Sequence, residues 1–115
     1  GIGELSGNFW NKIKNGASPR RRRPIEFNIT KEYVWKLFNI QNGKCTLTGL
    51  ELKFPTNWKD KAYTASLDRI DSGEGYIEGN VQWVHKDINM MKNRFNQSYF
   101  IQMCKLVSDQ CSIQL

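Results

Sequence analysis

Between positions 66 and 92 lie four side chains whose types and spacing suit phosphate chemistry: Asp68, Asn80, Asn89 and Lys92. A hard divalent ion prefers oxygen ligands. The carboxylate of Asp68 and the amide oxygen of Asn89 supply two, leaving water and phosphate for the remaining positions. Phosphodiester hydrolysis uses such an arrangement, in which the ion holds a non-bridging oxygen and the leaving oxygen while a base or polarised water attacks in line. Asn89 and Lys92 are three apart and share a helix face, and His85 lies four residues before Asn89 on that face. His85 is the only histidine. Imidazole is the side chain that changes charge near neutral pH, so it suits a general base, and its place beside Asn89 equally suits a metal ligand. Each residue also has a blander reading. Asp68 and Arg69 can be a surface ion pair, Asn80 a turn residue after Gly79, Asp71 the cap of the Ser72-Gly73 turn, and His85 a packing residue.

The elements that must position these residues can be read from local pattern. Tyr63 to Asp68 has strand character, Asp71-Ser72-Gly73-Glu74-Gly75 is turn chemistry, and Val81 to Val84 alternates like a second strand. In that turn Gly73 and Gly75 are free to take positive φ. His85 to Lys92 then reads as helix, with at least one of Met90 and Met91 in the core. A strand-end carboxylate contributes little to a core, so Asp68→Ala is expected to leave the fold intact. Upstream, Ser6 caps a helix to Asn15, and Thr30 caps a second that stops at Gly43. Ile25 to Ile29 alternates and reads as a short extended stretch. A final helix opens at Gln97 or Ser98, with Phe100, Ile101, Cys104 and Val107 facing a core. The fold class is therefore α+β: one domain over residues 1–115, with a β-β-α unit over about 63–92. The helix at Thr30 is expected on one side of that unit and the helix at Ser98 on the other.

With 39% apolar residues and 12% aromatics among 115 residues, the chain has the material for one modest core. A formal charge of +6 favours a polyanionic partner without naming it. The run Ser18-Pro19-Arg20-Arg21-Arg22-Arg23-Pro24 is an exposed basic loop over 18–24. In a basic chain carrying a phosphate site, Arg20, Arg21, Arg22 and Arg23 are candidate nucleic-acid contacts, sequence-independent and salt-sensitive. Trp35, Trp58 and Trp83 can stack on bases in principle, but core or rim packing is the default for each. No run of about 18 apolar residues exists, so no membrane span is expected. Three cysteines make no disulfide framework, and the N-terminal residues lack signal-peptide order; a reducing, cytoplasmic setting is expected.

Ser66 to Lys92 resembles the HNH (His-Me finger) endonucleases, particularly a phage and bacterial group with an Asp-Arg-Ile-Asp signature, here Asp68-Arg69-Ile70-Asp71. The resemblance implies a metal-dependent DNA endonuclease using Mg²⁺, Mn²⁺ or another divalent ion. It makes Asp68 the acidic metal ligand and Asn80 the residue that braces the loop and orients the catalytic group. Asn89 becomes the ligand on the helix, and Lys92 the basic residue that commonly follows and touches nucleic acid. Cys45-Thr46-Leu47-Thr48-Gly49 extends the likeness, because many relatives carry a C-x-x-C-G zinc knuckle there.

Two departures shape the expectations. Only Cys45 and His85 remain as possible knuckle ligands, whereas structural zinc wants four. No structural zinc is expected, and Cys45 should be buried as a small apolar residue. The family's general-base histidine follows the Asp, and here that place holds Arg69, which stays protonated and cannot accept a proton. Arg69 is then a candidate phosphate contact, and the base must be His85, Asp71, a metal-bound water, or absent. The alternative function is a catalytically silent nucleic-acid-binding module on the same scaffold. A structural RNA-binding protein would explain the charge alone. The sequence leaves oligomeric state open.

Overall fold

A computed structural model describes residues 3–17 and 25–114, so the arginine run lies outside the described residues. The fold class is α+β. The chain opens with α1 (Gly7–Asn15), whose cap Ser6 accepts a hydrogen bond from the Phe9 N–H at 3.1 Å. A two-residue strand β1 (Phe27–Asn28) precedes α2 (Lys31–Ile40), capped by the Thr30 hydroxyl on the Tyr33 N–H at 3.1 Å. Each such cap contributes about 1 kcal/mol. Beyond α2 the chain reverses with Asn42 and Gly43 both at positive φ, which places the Gly43 N–H on the Phe38 carbonyl.

Next come β2 (Ala65–Arg69), β3 (Tyr76–Ile77), β4 (Val81–His85), α3 (Lys86–Lys92) and α4 (Gln97–Gln114). β2 and β4 form an antiparallel pair in which Asp68 lies opposite Gln82 and Ala65 opposite His85. β1 and β3 pair in parallel, Phe27 opposite Tyr76. At the open edge of β4 the Gln41 amide accepts from the Trp83 N–H and donates to the Trp83 carbonyl, both at 2.9 Å, and the Thr46 N–H donates to the same carbonyl at 3.2 Å. The Trp83 ring, with no exposure, sits among Phe38, Phe54 and Val34, and its indole N–H donates to the Val34 carbonyl at 2.7 Å. Truncating a buried Trp costs about 3–5 kcal/mol, so this ring anchors the β2–β4 pair onto α2.

Three expectations change. The turn glycines Gly73 and Gly75 do not take positive φ; Gly79 does, at +86°. Gly75 is needed for another reason, since a Cβ there would lie 2.6 Å from the Glu26 carbonyl oxygen. Met90 and Met91 are 72% and 65% exposed, and the residue that α3 buries is Lys92. The inward face of that helix is polar, because it lies over the Ser66 and Asp68 side of β2. Finally, α4 does not cover a core. Phe100 is half-buried, while Ile101, Cys104 and Val107 are exposed. Apolar spacing marks a face that can be covered without saying that this chain covers it.

Candidate active site

The β-β-α unit positions the candidate residues through the pleat. Successive strand residues face opposite sides, so Ser66 and Asp68 share one face of β2 and stand about 7 Å apart. α3 lies across that face. Its Asn89 amide donates to the Ser66 hydroxyl at 2.7 Å, and one turn on, the Lys92 ammonium donates to Asp68 Oδ2 at 2.7 Å. Both partners of the ion pair are buried, Lys92 at 1% and Asp68 at 4% exposure. Lys92 also donates to the carbonyls of Arg69 at 2.8 Å and Ile70 at 3.3 Å, which ties the helix end to the strand end. Gln82 completes the cluster: its amide donates to Asp68 Oδ2 at 2.9 Å and to the Gln97 side chain at 2.7 Å, and accepts from the Thr46 hydroxyl at 2.9 Å.

Asn80 is buried and holds the strand-connecting loop closed from within. Its amide oxygen accepts from the Asp71 N–H at 2.9 Å, and its amide nitrogen donates to the carbonyls of Asp71 at 3.0 Å and Gly75 at 2.8 Å. Asp71 turns its own carboxylate to the Gly73 N–H at 2.8 Å, a local turn bond. Arg69 points to the other side of β2 from Asp68. Its guanidinium donates to the Ser72 and Glu74 carbonyls at 2.9 and 3.0 Å and lies 5.5 Å from the Tyr76 ring centre, beside a cleft that Glu26 and Glu74 also line.

His85 closes β4 as the N-cap of α3, and its Nδ1 accepts from the Asp87 N–H at 3.1 Å. The ladder register sets it opposite Ala65, three pairs from Asp68 and of opposite pleat, so His85 and Asp68 are not brought together. His85 Nδ1 is thus engaged with the first turn of α3, 3.8 Å from the Asp87 carboxylate.

Cys45 is buried, as expected, but its thiol is not in an apolar setting. Burial opposes its ionisation. Hydrogen bonds from the Thr48 hydroxyl and from the backbone N–H groups of His85, Leu47 and Thr48 outweigh that and hold its pKa below the usual thiol value.

Compared with known proteins, the chain matches no family model, no curated protein and no solved structure. The site therefore rests on its own geometry.

For a divalent ion the donors on this face are the Asp68 carboxylate and the Asn89 amide oxygen, with the Ser66 hydroxyl beside them. Among the described residues no three His, Cys, Asp or Glu side chains cluster as a metal-binding group. The oxygen donors suit a hard ion that keeps several waters and leans on substrate phosphate. The position beside Asp68 Oδ2 is already filled by the Lys92 ammonium and the Gln82 amide, so an ion would have to take the other carboxylate oxygen. Residues missed in the sequence are Ser66 and Gln82. Both were legible in principle, as the neighbours of Asp68 on one face of an alternating strand pair.

Proposed function

We propose that the chain is a metal-dependent endonuclease that hydrolyses DNA phosphodiester bonds, with Asp68 and Asn89 as the groups that hold the ion. The observation that carries this reading is the placement of α3 across the Asp68 face of β2, with Asn89 and Lys92 turned toward that strand and the connecting loop closed by Asn80. Mg²⁺ or Mn²⁺ bound there supplies positive charge to the phosphate and acidity to a water. The chain's own residues do the rest. Lys92, fixed by three acceptors, orients the Asp68 carboxylate. Asn80 sets the loop that Arg69 straps through the Ser72 and Glu74 carbonyls. His85 fixes the first turn of α3, and so the direction in which Asn89 projects. The arginines at 20–23 are the proposed phosphate-holding run, and DNA is the proposed partner in a cytoplasmic setting. Among the described residues no helix is long and apolar enough to cross a membrane.

One observation favours a second reading, a catalytically silent nucleic-acid-binding module: Asp68 Oδ2 is already taken by Lys92 and Gln82. Incubating supercoiled plasmid with the protein in Mg²⁺ and in EDTA separates the two. Nicked or linear product in Mg²⁺ alone supports the nuclease; no product in either supports the binding module.

A further inference from the structure

Beside the candidate site the surface continues into a feature that cleavage chemistry does not use. Ser66 and Asn89 line a cleft of about 210 Å³ together with Lys12, Lys86 and Tyr63. A second cleft of about 320 Å³ shares Phe9, Lys12 and Tyr63 with the first and runs on to Lys61 and Trp58. The two form one path from Asn89 to Trp58.

Its chemistry is that of a single-strand binder. The ammonium groups of Lys12 and Lys86 both lie over the Tyr63 ring, 4.8 and 4.6 Å from its centre. Lys12 also donates to the Tyr63 hydroxyl at 2.6 Å, and Lys86 to the Lys61 carbonyl at 3.0 Å. Asp60 is the one acidic residue lining either cleft among the described residues. Its carboxylate is held by the Thr56 and Ala62 N–H groups and the Thr56 hydroxyl. Those bonds, with the Lys59 N–H on the Asn57 side chain at 2.9 Å, fix the loop that displays Trp58. Trp58 is 76% exposed, with the Lys59 ammonium 5.0 Å from its ring centre. An indole held out on an ordered loop beside lysines offers a stacking surface, and only an unpaired base has a face free to use it.

We propose that this path binds an unpaired DNA strand leaving the cleavage site, with Lys12 and Lys86 on its phosphates and one base stacked on Trp58. The inference rests on the reading of DNA as partner and narrows the substrate to DNA with a single-stranded arm. The test is fluorescence anisotropy of a labelled 20-nucleotide single strand and of the matching blunt duplex, in EDTA so that nothing is cut. Trp58→Ala should weaken single-strand binding about tenfold and duplex binding less than about twofold, with Trp58→Phe restoring most of the loss and melting curves unchanged. Lys12→Ala and Lys86→Ala should each lower the single-strand salt slope by about 0.7. Equal losses on both DNAs, or none, would overturn the proposal. If plasmid is cut in Mg²⁺ while Trp58→Ala binds single strands normally, the path alone is refuted. If the wild type binds no DNA, the nuclease reading fails with it.

Discussion

Replacing Asp68 with alanine removes the charge partner of an ammonium that is 1% exposed. The Lys92 ammonium then keeps two acceptors of its three, the carbonyls of Arg69 and Ile70. Breaking a buried ion pair by deleting one partner costs about 3–5 kcal/mol. The surviving carbonyls still solvate the charge, which puts Asp68→Ala at the low end, about 3 kcal/mol. For a domain of this size that lowers Tm by about 10 °C. The assay is thermal unfolding by circular dichroism, backed by urea titration. Adding Lys92→Met should recover about 2 kcal/mol, because the double variant buries no unpaired charge. An Asp68→Ala protein that melts within about 2 °C of wild type would show that the pair is not what joins α3 to β2. The expectation that Asp68→Ala leaves the fold intact, because a strand-end carboxylate contributes little, does not fit the burial of Asp68 against Lys92, and loss of cleavage in this variant alone is no proof of metal ligation.

Asn80→Ala should destabilise by about 3 kcal/mol or more, since it strands the Asp71 N–H and two loop carbonyls; urea midpoints check this. His85→Ala should cost about 1 kcal/mol through loss of the α3 cap and leave plasmid cleavage within a few-fold of wild type. A large rate loss that recovers at high pH would instead make His85 the base. The Cys45 pKa lies below its unfolded value, so its ionisation adds stability that is full above the unfolded pKa and is lost as pH falls through the folded one. The Tm difference between wild type and Cys45→Ala should therefore be larger at pH 9 than at pH 7. Serine in place of Arg20 to Arg23 should flatten the salt dependence of DNA binding, measured by anisotropy from low to moderate salt.

Local signals carried much of this fold. Ser6 and Thr30 each have a hydroxyl followed three residues later by a free helix N–H, which any chain with those letters offers. The β2–β4 alternation and its polar Asp68/Gln82 face likewise follow from period two. What stayed hidden depends on distant partners. Lys92 looks like a solvated base until β2 is laid beneath α3, and the methionines look like core until that face is taken by polar groups. Trp58 defaulted to packing because indoles usually pack; only the ordering of its loop by Asp60 and Asn57 leaves it outside. The parallel pairing of β1 with β3 joins two-residue strands, too short for any periodicity to register.

The most direct test of phosphodiester cleavage at this site uses Asn89→Ala, because Asn89 is half-buried and its side-chain bond to Ser66 is worth about 1 kcal/mol. That variant should fold and bind DNA like wild type. With supercoiled plasmid in Mg²⁺, wild type should yield nicked or linear product that EDTA abolishes, and Asn89→Ala should yield none. Cleavage by Asn89→Ala at the wild-type rate would contradict the account.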